Sequence, residues 1–178
     1  MKRVLIVVDY QNDFVDGALG FEGAEKLDKG IASLMEQYAK DKDGVIFCTF
    51  DTHDKNYLDT QEGKNLPVEH CIKGTDGWEL YGEVGMTEIM YPMKCTRITK
   101  NTFGSIELAS RLDRLEDVES ITLVGVVTNM CVISNAVIAK AAHPEAKIII
   151  KKDLVDSFDK ELHQKALDVM ASMQMTIE

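Results

Sequence analysis

The segment Val4-Leu-Ile-Val-Val8 is an unbroken run of aliphatic residues that ends on a carboxylate, Asp9. A strand with apolar residues at every position is typical of a parallel sheet that is covered on both faces. Ligands of such sheets bind beyond the carboxyl ends of the strands. The run therefore predicts a parallel sheet and makes Asp9, at the end of the strand, a candidate functional residue.

Strand and helix patterns alternate through the rest of the chain. A helical pattern covers residues 24–40, a second strand covers residues 45–50 and ends on Asp51, and a long polar stretch with little periodicity follows to about residue 89. The later elements are a strand near residues 90–95, a helix over 105–115, a strand over 120–127, a helix over 130–142, a strand over 146–152, a helix over 159–173 and a short strand over 175–177. This order predicts an α/β fold with three α/β/α layers: a Rossmann-like, mostly parallel sheet of five to six strands with helices on both faces.

Length and charge limit the possible functions. The 178 residues fit one domain spanning residues 1–178. Thirty acidic and twenty basic residues give a net charge of −10, which argues against nucleic acid or an anionic membrane as a partner. No apolar run approaches the roughly 20 residues of a membrane span, and no secretory signal is visible. We therefore expect a cytoplasmic protein whose cysteines are thiols.

Three residues at or beyond strand ends could form a nucleophilic site. Cys131 follows a β-branched strand at the start of a helix, where free backbone N–H groups and the helix dipole favour a thiolate. A small core residue is an equally good interpretation of Cys131. Asp9 is a general base or a turn cap, and Lys100 is a cation beside the thiolate or a solvated surface lysine.

A second candidate site lies in the long polar stretch. Asp51 and His53 are two residues apart at a strand end, and His70 follows in the same stretch, with Glu62 between them. This nitrogen and oxygen donor set suits Zn²⁺, Fe²⁺ or Mn²⁺, although each histidine alone is an ordinary loop residue. Cys71 is a further candidate ligand, but we leave it out because adjacent residues of an extended loop point in opposite directions. Cys48, Cys95, His143 and His163 are interpreted as structural, and the nine methionines as core filling.

Five motifs in order carry a resemblance to a known family. They are Val8-Asp9-Tyr-Gln-Asn-Asp-Phe14, Asp51-Thr-His53, Leu66-Pro-Val-Glu-His70-Cys-Ile-Lys-Gly-Thr75, Lys100-Asn-Thr-Phe103 and Gly125-Val-Val-Thr-Asn-Met-Cys131. From Val4 to about Asp156, the chain resembles the isochorismatase-like cysteine hydrolases, and among them the metal-containing nicotinamidase and pyrazinamidase branch.

The resemblance implies a catalytic triad of Asp9, Lys100 and Cys131. Asp9 would accept the thiol proton and pass it to leaving ammonia, while Lys100 holds the thiolate and the carboxylate in place. The backbone N–H groups of Val127 and Cys131 would form the oxyanion hole, with a cis peptide bond preceding Val127.

The resemblance also implies a cofactor and a substrate. One divalent ion, zinc first and iron or manganese as alternatives, would be held by Asp51, His53 and His70, with Glu62 as an additional ligand seen in some members. Phe14 and Phe103 would wall the substrate ring, and Leu66 stands where many relatives carry tryptophan. The implied reaction converts a small-molecule amide, nicotinamide or a similar heteroaromatic amide such as pyrazinamide, to the acid and ammonia. Similar proteins are commonly dimers or tetramers, and the context is NAD salvage or detoxification.

Three alternatives remain open from the sequence. Other branches of the family act on ureido or carbamoyl substrates, but those branches generally lack the Asp-x-His and His set. Hydrolysis of the isochorismate vinyl ether belongs to a branch without the nucleophilic thiol. A protein of another class, a non-catalytic binding domain with a structural metal, would have a site closed by protein ligands.

Overall fold

A computed structural model describes residues 1–178 and contains a single six-stranded sheet in the order β3-β2-β1-β4-β5-β6, with every pair of neighbours parallel. The strands are β1 (Lys2–Val8), β2 (Gly44–Asp51), β3 (Cys95–Lys100), β4 (Val118–Val126), β5 (Lys147–Asp156) and β6 (Thr176–Ile177). The helices are α1 (Asn12–Val15), α2 (Asp28–Lys40), α3 (Gln61–Asn65), α4 (Gly82–Met90), α5 (Ile106–Asp113), α6 (Ile133–Ala142) and α7 (Lys160–Ser172). The predicted three-layer α/β/α fold is confirmed.

The two faces of the sheet explain why β1 is apolar at every position. Val4, Ile6 and Val8 pack into a core with residues of α5, α6 and α7. Leu5 and Val7 pack into a second core, with residues of α2 and α4 on the opposite face. Alternating side chains of one strand thus enter different cores, as the pleat requires.

The strand order places a cleft beside β1. The chain builds β2 and β3 on one side of β1 and then crosses to form β4 on its other side. This reversal is a topological switch point, where the connections leave a crevice at the carboxyl ends of the strands. Val8 of β1 lies beside Gly125 of β4, so Asp9 and the segment after β4 meet at this crevice.

The prediction of a strand over residues 90–95 was wrong. Met90 ends α4, and β3 begins only at Cys95. β3 is an edge strand, and Ile98 is its one fully buried aliphatic residue, so its apolar pattern is weak. The polar stretch before it also contains two helices, α3 and α4, that its sequence pattern did not reveal.

The methionines divide between the core and the surface, so their assignment to the core was only partly correct. Met35, Met170 and Met175 are buried. Met90 is 59% exposed and Met93 is 96% exposed, at the end of α4 and in the turn that follows it. None of the helices has the length and apolar character that crossing a membrane requires.

Candidate active site

Strand ends bring the three predicted triad residues together. Asp9 directly follows β1, Lys100 is the last residue of β3, and Cys131 lies in a π-helical turn, Thr128–Val132, after β4. The Lys100 Nζ atom is 2.5 Å from Asp9 Oδ2 and 3.5 Å from Cys131 Sγ. Lys100 is 7% exposed, so the alternative of a solvated surface lysine is wrong.

The two oxygen atoms of Asp9 have different surroundings. The Thr49 hydroxyl donates a hydrogen bond of 2.7 Å to Oδ1. The Oδ2 atom is buried and close to Lys100, yet no donor makes a well-aligned hydrogen bond to it. Burial raises the pKa of Asp9, and the positive charge of Lys100 opposes that effect. A buried carboxylate with a raised pKa is suited to accept a proton and return it.

The thiol and the ammonium group respond to burial in opposite directions. Burial raises the pKa of Cys131 well above its ordinary value, although the Lys100 charge lowers it. Burial alone would lower the pKa of Lys100, but the negative charges of Asp9 and Asp51 raise it, as does the Cys131 thiolate once it forms. The resting site therefore holds a protonated thiol beside a charged lysine, so the nucleophile needs a base to become reactive.

The backbone before Cys131 carries the predicted oxyanion groups. The Val126–Val127 peptide bond is cis, and the Val127 N–H donates no hydrogen bond within the protein. Gly125 has a φ of 107°, and a Cβ at this position would collide with the Val8 carbonyl, so β4 can approach β1 closely only with glycine here. The Asn135 amide donates to the Cys131 carbonyl at 2.8 Å and holds the turn in place.

The four predicted metal ligands converge in a second cluster next to the triad. Their donor atoms all lie within 4.8 Å of one another. Asp51 Oδ2 is 3.0 Å from His53 Nε2 and 3.3 Å from His70 Nε2, and Glu62 Oε1 is 3.9 Å from both imidazole nitrogens. Asp51 pairs with Lys100 across β2 and β3, which joins the two clusters.

The donor chemistry of this cluster fits a divalent cation. The Val68 carbonyl lies 2.8 Å from His70 Nδ1, so that nitrogen carries the proton and leaves Nε2 free for a metal. Burial alone would raise the pKa of Asp51, but the neighbouring imidazoles of His53 and His70 and the Lys100 charge hold it well below its usual range. Two imidazoles and two carboxylates with bare lone pairs are the ligands that Zn²⁺, Fe²⁺ and Mn²⁺ accept.

Two supporting residues of this cluster were missed by the sequence analysis. Gln11 is fully buried, and its amide accepts from the Asp51 N–H at 2.8 Å and donates to the Asp51 carbonyl at 2.9 Å. Asp13 accepts from the backbone N–H of Cys71 at 2.7 Å, next to His70. Their place at alternate positions after Asp9, inside the first motif, was the available signal.

A third missed residue, Tyr57, packs against both imidazoles. Its ring centroid is 4.6 Å from that of His53 and 4.9 Å from that of His70. The Tyr57 hydroxyl donates to the Leu66 carbonyl at 2.9 Å. One aromatic residue therefore orients the two histidines and anchors the loop that carries Leu66.

The three residues predicted to contact substrate lie around these clusters. The ring centroid of Phe14 is 5.5 Å from that of His70. Leu66 directly follows α3 and is 38% exposed, and Phe103 lies in the turn after β3 and is 44% exposed. Their exposure leaves both side chains free to contact a ligand.

Comparison with known proteins identifies the family. A model of the isochorismatase domain matches residues 3–178. The chain belongs to the isochorismatase family. A Bacillus subtilis relative described as an uncharacterized isochorismatase family protein, PncA, is 32% identical over 182 residues, covering 97% of this chain and 96% of the relative. The family membership confirms the resemblance and the prediction of a hydrolase.

Solved structures add two relatives with assigned activities. The nicotinamidase/pyrazinamidase PncA of Bacillus subtilis has a TM-score of 0.86 and 29% identity, covering 99% of each chain. The pyrazinamidase of Pyrococcus horikoshii, solved in complex with zinc, has a TM-score of 0.83 and 26% identity, covering 100% of this chain and 99% of that one. A zinc-bound relative supports the prediction that this chain binds a divalent metal.

Proposed function

We propose that the protein is a metal-dependent amidase that hydrolyses nicotinamide, or a similar heteroaromatic amide such as pyrazinamide, to the carboxylic acid and ammonia. The observation that carries the proposal is the juxtaposition of two clusters in one crevice: a thiol with its lysine and carboxylate, and a four-ligand cation site joined to it through Asp51 and Lys100. The activities of the two structural relatives support the same substrate class.

The first half of the reaction forms a thioester. Asp9 takes the proton of Cys131, and the sulfur attacks the amide carbon. The charge that develops on the carbonyl oxygen is stabilised by the N–H groups of Val127 and Cys131. Asp9 then gives its proton to the departing nitrogen, which leaves as ammonia, while Lys100 offsets the negative charge on the thiolate.

The second half of the reaction regenerates the thiol. A water molecule attacks the thioester carbon while Asp9 accepts one of its protons. The carbon–sulfur bond breaks, the acid leaves, and the proton returns from Asp9 to the Cys131 sulfur. Thr49 and Lys100 keep the carboxylate oriented through both halves, because the Thr49 hydroxyl bonds Oδ1 and the Lys100 ammonium pairs with Oδ2.

Asp51, His53, His70 and Glu62 are the residues that would hold the metal ion. When bound, the ion supplies a contact for the ring nitrogen of the substrate, and so orients the amide more than it activates it. Phe14 packs against His70, so its side chain would form one wall of the site for the substrate ring, beside the metal ligands. Lys100 contacts both clusters and fixes the distance between the ring site and the thiol.

The proposal is tested by measuring ammonia release from matched amides. Nicotinamide and pyrazinamide carry a ring nitrogen and should be hydrolysed, whereas benzamide, which has the same shape without that nitrogen, should react at least roughly tenfold more slowly. Chelation should remove this preference, and added zinc, iron or manganese should restore it. Release from an N-carbamoyl amino acid instead would assign the ureido branch.

Two outcomes would overturn the proposal altogether. A protein that binds zinc stoichiometrically but releases ammonia from none of these amides would be a metal-binding domain and not an amidase. A protein that hydrolyses benzamide and nicotinamide equally, with and without chelator, would be an amidase in which the four-ligand cluster has no part in substrate binding.

A further inference from the structure

A histidine outside both clusters contacts the oxyanion segment. His163 lies on α7, and its Nδ1 atom is 2.8 Å from the Thr128 hydroxyl. Thr128 is fully buried and directly follows Val127, whose N–H donates no hydrogen bond within the protein. The Thr128 hydroxyl makes this one side-chain hydrogen bond and no other. The contact therefore ties helix α7 to the backbone that would bind the oxyanion.

A second contact holds the next residue of the same turn. The Ser157 hydroxyl, just beyond β5, donates to Asn129 Oδ1 at 2.6 Å, and Ser157 is fully buried. Asp159 caps the start of α7 by accepting from the N–H groups of Glu161 and Leu162. Thus, two successive residues between the Val127 and Cys131 N–H groups are fixed by side chains from one segment, residues 157–163.

The charges around His163 favour a neutral imidazole. Burial lowers its pKa, Asp156 opposes that effect, and Lys160 reinforces it. Asp156 Oδ1 is 4.0 Å from His163 Nδ1, but both Asp156 oxygens are bound at 2.6 Å by Lys160. The carboxylate is thus satisfied by the lysine, and the imidazole is left to bond with Thr128.

We infer that His163 is a positioning residue for the oxyanion hole, acting through Thr128 to hold the Val127 N–H toward the substrate carbonyl. This inference rests on the proposed function. His163 touches neither the triad nor the substrate position, so it should affect the stabilisation of the intermediate and leave substrate binding unchanged. Loss of one oxyanion donor costs about 10²–10³ in kcat, and a donor that is displaced but still present should cost less.

The test compares variants at both ends of the hydrogen bond. Thr128→Val removes the hydroxyl at nearly constant volume, His163→Leu removes the imidazole, and Thr128→Ser keeps the hydroxyl. The first two variants should lower kcat for nicotinamide roughly tenfold and change KM less than about twofold. Thr128→Ser should retain most of the wild-type kcat. The double variant should be no slower than either single variant, since both remove one contact.

A matched control uses another half-buried histidine. His143 directly follows α6, and its Nε2 atom donates to the Leu112 carbonyl at 2.8 Å, so this side chain makes no hydrogen bond to the Thr128–Val132 turn. His143→Leu should leave kcat and KM unchanged. An effect on kcat as large as that of His163→Leu would show that losing any such histidine slows the enzyme, and would overturn the inference.

An intermediate analogue separates positioning from general destabilisation. Pyridine-3-carboxaldehyde forms a carbon–sulfur bond with a thiol; the thiol proton ends on the former carbonyl oxygen or on Asp9, so the adduct places an oxygen at the oxyanion site. His163→Leu and Thr128→Val should weaken aldehyde binding by the same factor as kcat. Undiminished aldehyde affinity, or a kcat within about twofold of the wild-type value in both variants, would overturn the inference.

Failure of the proposed function would be recognisable by itself, because wild-type protein would then release no ammonia from nicotinamide. In that case amide hydrogen exchange decides the inference without any substrate. His163→Leu should speed exchange in residues 127–132 relative to His143→Leu, whereas equal exchange in the two variants would contradict a role in holding this turn.

Discussion

The two halves of the candidate site are built in different ways. The triad half takes Asp9, Lys100 and Cys131 from the ends of β1 and β3 and from the turn after β4, so three strands of one sheet hold them. The metal half takes only Asp51 from a strand, and its other three ligands come from the stretch between β2 and α4.

This difference shows what each half depends on. Sheet register positions the triad, because parallel strands bring their carboxyl ends to one edge. The metal ligands depend on single buried contacts, since Gln11 bonds the Asp51 backbone and Asp13 bonds the Cys71 N–H beside His70. The metal half should therefore be easier to disrupt by changes outside its ligands, and the two halves should fail separately.

The largest expected effect is confined to the triad half. Cys131→Ala should reduce ammonia release from nicotinamide at least roughly 1,000-fold, because the nucleophile is removed, while the bound zinc is unchanged. Cys95→Ala, a cysteine at the start of β3, is the control and should keep full activity. Turnover by Cys131→Ala near the wild-type rate would refute the thioester route.

A ligand substitution tests the metal half alone. His70→Ala should lower zinc affinity at least about 100-fold, because one of the four candidate ligands is lost. Competition with a chromophoric chelator measures this affinity. Alkylation of Cys131 by iodoacetamide, followed by peptide mass spectrometry, should change less than about twofold. A large change in thiol reactivity would mean that the two halves are one coupled unit.

Two buried amides offer a crossed comparison. Gln11→Met should lower zinc affinity about 10–100-fold by releasing the Asp51 backbone. Asn135→Leu should instead reduce kcat and leave zinc affinity unchanged, because Asn135 bonds the Cys131 carbonyl. Each variant should also unfold more easily, by about 1–3 kcal/mol for each buried group left unpaired. If both variants changed zinc affinity and kcat to the same extent, the two halves of the site would not be independent.

The smallest expected effect is the contribution of His163 to the pH dependence of stability. Burial lowers the pKa of His163 below its ordinary 6.5, so the unfolded chain takes up the proton first as the pH falls. Its contribution to stability is complete above pH 6.5 and declines as the pH falls through 6.5 toward the lowered value.

Urea unfolding at about pH 7.5 and about pH 5.5 measures this effect. The midpoint of the wild-type protein should fall between these conditions slightly more than that of His163→Gln, which has no group to protonate. A variant that loses as much stability as the wild-type protein would assign the pH dependence to other groups.

How well the sequence predicts each region also differs between the triad half and the metal half. The apolar run ending at Asp9 and the strand before Cys131 were visible because buried central strands are apolar at every position. The edge strand β3 was misplaced, since only Ile98 is deeply buried in it. The sequence indicated the metal ligands by residue type, but Gln11 and Tyr57 support them through long-range contacts that have no local pattern.

The most direct test of the proposed chemistry is rapid-quench mass spectrometry of the protein during turnover of nicotinamide. The proposed mechanism predicts an acyl group on the peptide that contains Cys131, formed as ammonia is released and absent from Cys131→Ala. Ammonia release at the wild-type rate by Cys131→Ala, or an acyl group on a residue other than Cys131, would contradict it.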